Sequence, residues 1–520
     1  MKSSAFISTL SLCTVMLMVS CGCDKTKTPD VSQDPSGQTS EDPSGAVSED
    51  PAAQSPARYV KNLSMSSKVL GSTVLYSILL PEGYEENTSK RYPVVYMLHG
   101  LGDDNNSWNG EKLLKEERVE DRINRLERKG LEDMIYVFPM GYQCYYCNKY
   151  DGSFNYMDMF IQELVPYIDD TYRTIPDKRH RSVTGYSMGG FGAWVLAGKH
   201  PETFIASAPL SMSFRTDEQY MNEEAAGWNT QWGGIFGGRG ETGAARLTDY
   251  YKEHCPYYAF NEENRAGLES VKWFFTCGDD EERLLIANDS LHVLLRDRGF
   301  DHEFRVNNGA HTSMYWIQSL DEVLPMFAYY MNGGEKWPGI DMEVPSVPSV
   351  QLDGNGAYKT DRYKADGTGT VLYVFHDGYP GIQDVVALLS GPAQYKTCAI
   401  VPWDVSVNDA ADFGKAGYTG AHLQALAIGT AGGALMGLRP SFEKTYYVDA
   451  STGEDPVTAK GEKYVILNTD NGIYYHDSGA LYTSCKRSGA TFQYRVTKGT
   501  SDRAADILRC LENNKSLFTL

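Results

Sequence analysis

The hexapeptide Gly185-Tyr186-Ser187-Met188-Gly189-Gly190 decides the fold expected for the central part of this chain. An apolar segment, Arg181–Thr184, precedes it, and a run of mostly small residues continues to Lys199. Gly-x-Ser-x-Gly between a strand and a helix is typical of a tight turn in which neighbouring backbone approaches closely. Such a turn exposes the serine hydroxyl, so Ser187 is the candidate nucleophile.

A serine nucleophile needs a general base and an acid that orients this base. Downstream of Ser187, a predicted strand ends at the carboxylates Asp279-Asp280-Glu281, and a second one, His302–Val306, leads to His311. Both segments therefore place reactive side chains at the sheet edge that holds ligands in α/β folds. The order serine, acid, histidine is the order of the nucleophile-elbow fold, which makes His311 the expected base.

Residues 59–335 alternate between strand-like and helix-like segments, which predicts an α/β architecture. Arg91–Leu98 and Asp133–Phe138 are short apolar runs typical of buried strands, whereas Tyr156–Tyr172 has a helical pattern. The hexapeptide around Ser187 lies between such segments, as an elbow requires.

Four motifs in this order resemble the esterase-D and feruloyl-esterase branch of the α/β-hydrolases. They are Leu98-His99-Gly100-Leu101-Gly102, Gly185 to Gly190, Cys277-Gly278-Asp279-Asp280-Glu281, and Gly309-Ala310-His311 through Trp316. The resemblance implies an α/β-hydrolase fold for residues 59–335, with Ser187 as nucleophile and His311 as base. It places the acid at Glu281, where aspartate is commoner in the family, and Asp280 stays open as the alternative.

The oxyanion hole of this fold uses backbone N–H groups. One belongs to the residue after the nucleophile, Met188, and the other comes from the loop after His99-Gly100, for which Leu101 is the candidate. His99 itself is expected to be structural, with its ring hydrogen-bonded to the loop.

The resemblance implies a serine carboxylesterase acting on feruloyl or acetyl esters of a plant polysaccharide such as xylan. This chemistry needs no metal or organic cofactor. Two aromatic-rich segments, Ser211–Ala266 and Tyr142–Tyr156, are expected over the carboxyl edge of the sheet. Their rings suit a sugar or an aromatic acyl group, and ordinary packing of a cap explains them equally well. The alternatives are a non-catalytic glycan-binding lipoprotein and an acyltransferase on the same fold.

The N-terminus resembles a bacterial lipoprotein signal. Residues 1–21 contain an apolar stretch that ends at Ser20-Cys21, so Cys21 is the predicted lipidation site and Cys23 the alternative. Residues 22–58 form an acidic tract rich in proline and serine, which predicts an extended linker. The expected location is the cell envelope, with the protein held by its lipid in the outer-membrane surface or the periplasm.

Composition excludes several classes. A net charge of −20 argues against nucleic acid as the main partner, because such proteins need a basic surface. The apolar fraction of 42% excludes wholesale disorder. Cys144 and Cys147 lack the additional ligands of a zinc site, so they are expected to form a local disulfide or to remain unpaired thiols.

The C-terminal third, residues 345–520, weakly repeats the motifs of the first domain in the same order. Its segment Leu426 to Gly433 resembles the strand and elbow around Ser187, and Arg495 to Ser501 resembles the segment that ends at His311. On this pairing Ser187, Glu281 and His311 correspond to Ala431, Gly472 and Ser501. We therefore expect a smaller, degenerate α/β-hydrolase-like domain without hydrolytic activity, which holds the first domain, binds glycan or mediates a homodimer.

Overall fold

A computed structural model of the chain describes residues 58–110, 117–340, 342–359, 368–390 and 398–518. The described residues belong to one compact unit. The predicted lipidation site Cys21 and the linker up to residue 57 lie outside them. Within these ranges, no helix has both the length and the apolar character needed to cross a bilayer.

The first half of the chain, from residue 58 to 340, contains eight strands and most of the α-helices among the described residues. The strands are β1 (Tyr59–Ser67), β2 (Ser72–Leu79), β3 (Val94–Leu98), β4 (Ile135–Pro139), β5 (Arg181–Tyr186), β6 (Ala206–Leu210), β7 (Lys272–Gly278) and β8 (Glu303–Asn307). The helices are α1 (Val119–Arg128), α2 (Tyr156–Met159), α3 (Val165–Thr171), α4 (Met188–Lys199), α5 (Asp217–Met221), α6 (Ala225–Gly227), α7 (Gly233–Phe236), α8 (Asp249–His254), α9 (Pro256–Ala259), α10 (Arg265–Glu269), α11 (Glu282–Asp297) and α12 (Ser313–Met331).

Among the described residues, the second half of the chain, from residue 342 to 518, adds seven strands and four α-helices. The strands are β9 (Tyr358–Lys359), β10 (Thr370–His376), β11 (Cys398–Asp404), β12 (His422–Gly429), β13 (Lys444–Ala450), β14 (Lys463–Thr469) and β15 (Thr491–Thr497). The helices are α13 (Ile382–Ser390), α14 (Ala431–Leu438), α15 (Tyr475–Ser488) and α16 (Arg503–Asn513).

The strand order of the first half is β1-β2-β4-β3-β5-β6-β7-β8, with β2 antiparallel to its neighbours and β3 to β8 parallel. This is the α/β-hydrolase order, so the α/β-hydrolase fold predicted for residues 59–335 is confirmed. Strands β3 to β6 are buried along their whole length because helices cover both faces of the sheet. α1 and α12 pack on one face, and α4 and α11 pack on the other.

The second half continues the same sheet. Its strands follow the order β15-β14-β13-β12-β10-β11-β9, and β15 pairs with β8 in antiparallel orientation to give one sheet of fifteen strands. The order β11-β10-β12-β13-β14-β15 matches β4-β3-β5-β6-β7-β8, and β9 runs antiparallel to β11 as β2 does to β4. The two α/β regions anticipated from the sequence thus share a sheet.

Strand register gives a different partner for Ser187 in the second half. Leu98 of β3 lies opposite Gly185, and Phe375 of β10 lies opposite Ala427. Counting two residues onward from each places Gly429, not Ala431, at the position of Ser187. Gly429 has φ 64° and Ser187 has φ 56°, so both occupy the same tight turn. The expected pairing was shifted by two residues because hydrogen bonding between strands sets the register, whereas the similar glycine-rich runs do not.

Candidate active site

Ser187 lies at the turn between β5 and α4 in a backbone conformation that residues other than glycine rarely adopt. Its φ and ψ are 56° and −115°. Its N–H donates to the Leu210 carbonyl at 3.0 Å, and its carbonyl accepts from the Ser213 N–H at 3.0 Å. Such backbone strain persists only where the surroundings enforce it. Here one hydrogen bond to the last residue of β6 and one to the segment that follows it hold the turn.

The glycines beside Ser187 are required by close backbone contacts. A Cβ at Gly185 would lie 2.5 Å from the Gly189 carbonyl oxygen. A Cβ at Gly189 would lie 2.3 Å from the Leu98 carbonyl oxygen. The first turn of α4 therefore packs directly on the end of β3, and any larger residue at these positions would push it away.

The structure brings Ser187, His311 and Glu281 together in one hydrogen-bonded chain. His311 Nε2 lies 2.9 Å from Ser187 Oγ, and His311 Nδ1 lies 2.7 Å from Glu281 Oε2. A carboxylate can only accept at Nδ1, so Nδ1 carries the proton and Nε2 is free to accept the serine proton. The geometry suits nucleophilic catalysis at Ser187.

Glu281, rather than Asp280, contacts the histidine. The Glu281 side chain is fully buried, and its Oε1 accepts from the Gly278 N–H at 2.8 Å and from the Ser211 hydroxyl. Asp280 is exposed, and its backbone N–H donates to the Gly309 carbonyl at 3.0 Å. The strand end thus directs its third carboxylate inward and its second one to solvent.

Two residues to which the sequence analysis gave no catalytic role, Trp316 and Ser211, support the acid and the base. Trp316 Nε1 donates to Ser211 Oγ at 2.9 Å, and Ser211 donates onward to Glu281. The Trp316 ring meets the His311 ring edge to face, with centroids 4.9 Å apart. Trp316 is the last residue of the motif that contains His311. For Ser211, the only sequence signal of its contact with Glu281 is its position directly after β6.

The two residues predicted to donate to the oxyanion lie at the start of α4 and in the loop after β3. Met188 is the first residue of α4, where N–H groups have no acceptor within the helix and favour negative charge. The His99 ring bonds the Gly100 carbonyl through Nδ1 at 2.8 Å and accepts from the Gly141 N–H through Nε2 at 2.8 Å. His99 is therefore structural, as expected, and it fixes the loop that carries Leu101. The oxyanion roles of Met188 and Leu101 stay a prediction.

The aromatic-rich segments contact each other but bury most of their rings. The Tyr150 N–H donates to the Ile235 carbonyl at 2.9 Å, which joins the two segments. Trp228, Trp232 and Tyr251 are almost completely buried, so these rings pack inside the cap. Tyr150, at 50% exposure, is the large ring of these segments that is most available to a ligand.

Cys144 and Cys147 are buried, unpaired thiols, one of the two outcomes that the sequence left open. Burial raises the pKa of Cys144 to about 12 and the pKa of Cys147 well above its ordinary value. The Cys144 thiol donates to the Gly141 carbonyl at 3.1 Å. Thiols held in this protonated state are poor nucleophiles, which disfavours redox catalysis here.

Residues 67–327 match the model of the Esterase family, described as "Putative esterase". The chain belongs to this esterase family. The matched region contains every residue of the Ser187 site described above.

Individual relatives are distant. An esterase of Mycobacterium tuberculosis is 24% identical over 253 residues, which cover 45% of this chain and 52% of the relative. The endo-1,4-beta-xylanase/feruloyl esterase of Xylanibacter ruminicola is 25% identical over 272 residues, which cover 51% of this chain and 30% of the relative. A solved ferulic acid esterase is 30% identical with a TM-score of 0.43, and the match covers 52% of this chain and 98% of that chain. The chain thus spans about half, or less, of the length of these curated relatives.

Proposed function

We propose that this protein is a serine carboxylesterase with Ser187 as its nucleophile. The observation that carries the proposal is the unbroken path from buried Glu281 through His311 to Ser187, with contacts of 2.7 and 2.9 Å. Membership of the esterase family supports it.

Acylation begins when His311 Nε2 takes the proton of the Ser187 hydroxyl as Oγ attacks the ester carbonyl. The carbonyl oxygen becomes an oxyanion, for which the N–H groups of Met188 and Leu101 are the assigned donors. The carbon–oxygen bond to the alcohol then breaks, and this alcohol leaves with the proton from Nε2. Glu281 stabilises the imidazolium between the two transfers without becoming protonated.

Deacylation repeats the same steps with water. His311 Nε2 takes a proton from water as its oxygen attacks the acyl-enzyme carbonyl, and the bond to Ser187 Oγ breaks. The proton returns to Oγ, the free acid leaves, and the resting hydrogen bonds are restored.

The substrate class assigned to this site is an acylated plant polysaccharide, with feruloyl or acetyl groups. It is supported by the similarity to the Xylanibacter ruminicola protein, whose name includes feruloyl esterase and xylanase. The exposed Tyr150 offers a ring face to a sugar or an aromatic acyl group.

The assigned location is the cell envelope, with a lipid on Cys21. The support is the apolar N-terminal stretch that ends at Ser20-Cys21, followed by the acidic linker. Replacing Cys21 with Ala should move the protein from the membrane fraction to the soluble one and abolish incorporation of labelled palmitate. Unchanged membrane association would contradict the anchor.

The C-terminal half is assigned no hydrolytic role. Gly429 occupies the turn of the nucleophile, and Gly472 and Ser501 stand at the places of the acid and the base. None of these side chains can replace the triad, because glycine has no side chain and a serine without a base is not activated.

The experiment compares the wild-type chain with Ser187→Ala on p-nitrophenyl acetate, methyl ferulate and acetylated xylo-oligosaccharides. We expect turnover by the wild type alone. Its kcat/KM should be higher for the acyl group that it hydrolyses naturally, feruloyl or acetyl, than for the other one. Equal turnover by S187A would contradict the role of Ser187. Product analysis with an added sugar alcohol separates hydrolysis from acyl transfer, which uses the same acyl-enzyme.

A further inference from the structure

The two halves meet through equivalent elements. β8 and β15, each the last strand of its half, pair in antiparallel orientation at Val306 and Val496. α11 and α15, which follow the equivalent strands β7 and β14, also pack against each other. Like elements facing like elements is the arrangement of an interface with two-fold symmetry.

Two buried ion pairs cross this interface in reciprocal positions. Arg305, just before Val306, donates to Asp470 at 2.6 Å. Arg495, just before Val496, donates to Asp279. Each aspartate directly follows its strand, β7 or β14, so each half supplies one arginine and one aspartate to the other.

Each aspartate also ties two loops of its own half together. Asp279 Oδ1 accepts from the Gly309 N–H at 3.2 Å, and the Asp279 N–H donates to the Asn307 carbonyl at 3.0 Å. Asp470 makes the equivalent two bonds: its Oδ1 accepts from the Gly499 N–H at 2.9 Å, and its N–H donates to the Thr497 carbonyl at 2.8 Å.

The two loops carry reactive groups in the first half alone. Glu281 lies two residues after Asp279, and His311 lies two residues after Gly309. The loops touch so closely that a Cβ on Gly278 would lie 2.2 Å from the Gly309 carbonyl oxygen. A displacement of Asp279 is therefore passed on to the acid and the base.

Arg495 reaches both loops at once from the C-terminal half. One side of its guanidinium bonds Asp279, and Nη2 donates to Asn308 Oδ1 at 2.9 Å. Both charged side chains are buried, with 2% of Asp279 and 4% of Arg495 exposed. Burial raises the pKa of Asp279, and the guanidinium opposes this rise. Asp279 thus depends on the other half for its counter-charge.

We propose that Arg495 is a positioning residue for the triad of the first half. By bonding Asp279 and Asn308 it fixes the loops that hold Glu281 and His311, although it belongs to the half that has no triad of its own. This assigns the C-terminal half a role in the reaction, and it rests on the proposed esterase function.

The test compares Arg495→Met and Arg495→Lys with Asp470→Asn. Asp470→Asn weakens the reciprocal ion pair across the same interface but leaves the loops of Glu281 and His311 untouched. The kinetics use p-nitrophenyl acetate, with kcat counted per fluorophosphonate-reactive Ser187 at saturation, so that unfolded protein does not enter.

We expect Arg495→Met to lower kcat about 10- to 100-fold with little change in KM, because misplacement of catalytic groups by about 1 Å has effects of this size. Arg495→Lys should recover part of the loss, and Asp470→Asn should keep wild-type kcat. An unchanged kcat in R495M, or an equal loss in D470N, would overturn the proposal. If R495M does not fold, Asp279→Asn, which keeps the side-chain shape, carries the same comparison with D470N.

Failure of the esterase function has a different signature. In that case the wild type itself neither hydrolyses the ester nor reacts with the fluorophosphonate. The crystal structure of R495M, or of D279N if R495M does not fold, then decides the positioning claim. Displacement of loops 278–281 and 307–311 supports it, and unmoved loops overturn it.

Discussion

The two halves of the sheet share a strand order but differ at its carboxyl edge. In the first half, His311 joins Ser187 to Glu281, whereas no equivalent pair of side chains stands at the matching turn in the second half. Both halves contain an aspartate directly after β7 or β14 and an arginine in β8 or β15. The interface between the two halves therefore does not depend on a complete triad in each of them.

The largest expected effect comes from making the first half resemble the second at the acid. Glu281→Ala removes the carboxylate that orients His311, and we expect kcat to fall about 1,000- to 10,000-fold. Asp280→Asn is the matched control and should leave kcat close to wild type, because the exposed Asp280 side chain does not contact His311. Steady-state kinetics on p-nitrophenyl acetate measure both. A larger loss in D280N than in E281A would reassign the acid.

The next effect concerns stability where the halves meet. Asp289 of α11 accepts from the Tyr494 hydroxyl of β15 at 2.8 Å. Burial raises the pKa of Asp289 from 3.8 to about 7. Four titratable groups of the described residues interact with Asp289, namely Tyr494, Tyr482, Tyr257 and Cys277. Burial raises the pKa of all four, and none of them supplies a positive charge.

The raised pKa of Asp289 determines how the free energy of unfolding changes with pH. Between about pH 4 and pH 7 the folded state keeps a proton that the unfolded state has lost, so the free energy of unfolding falls as pH rises, by up to about 4 kcal/mol. Asp289→Asn should remove this fall. Asp297→Asn changes an exposed residue of the same helix that pairs with His476, and it should retain most of the fall. Urea unfolding of the wild type, D289N and D297N between about pH 4 and pH 7 measures the free energy of unfolding of each protein. Parallel curves for D289N and wild type would contradict the expectation.

A smaller effect on the free energy of unfolding is expected from the helices that follow the two turns, α4 and α14, because they differ in packing. Gly189→Ala should lower the free energy of unfolding by about 1–3 kcal/mol, because its Cβ has no room beside Leu98. Gly433→Ala, in α14, meets nothing within 4 Å and should be neutral or stabilising by up to about 1 kcal/mol. Urea midpoints measure both variants. Equal destabilisation would show that the two turns are packed alike.

The smallest effect tests the support of the acid. Ser211→Ala removes one hydrogen bond to Glu281, and we expect kcat to fall about 10-fold, as for other hydrogen bonds to a charged group. Ser207→Ala, a buried serine of β6 that donates to the Ala193 carbonyl, is the control and should keep its kcat. An unchanged kcat in S211A would mean that Gly278 and His311 suffice to hold Glu281.

Much of the first half could be predicted because its signals are local. The apolar runs before the elbow and before Asp279 identify strands, and the order of serine, acid and histidine follows the chain. The choice between Asp280 and Glu281 was harder, since both leave the same strand end. It is decided by the buried acceptors at Gly278 and Ser211, which sequence patterns do not show.

Other features depend on contacts between distant segments. The residue patterns of β8 and β15 do not predict that these two strands pair. The last strand of a sheet can have the same sequence pattern whether its outer edge faces solvent or another strand. Burial of Trp228 and Trp232 likewise depends on how the insertion folds back on itself. The residue that matches Ser187 was misplaced for the same reason, since its register is fixed by β10 and β12.

Labelling of the full chain with a fluorophosphonate, followed by intact mass measurement and peptide mapping, shows directly whether Ser187 is the activated nucleophile. We expect a single adduct, on Ser187, with none on the C-terminal half and none in S187A. Folded wild-type protein that stays unlabelled, or that carries its adduct on another residue, would contradict it.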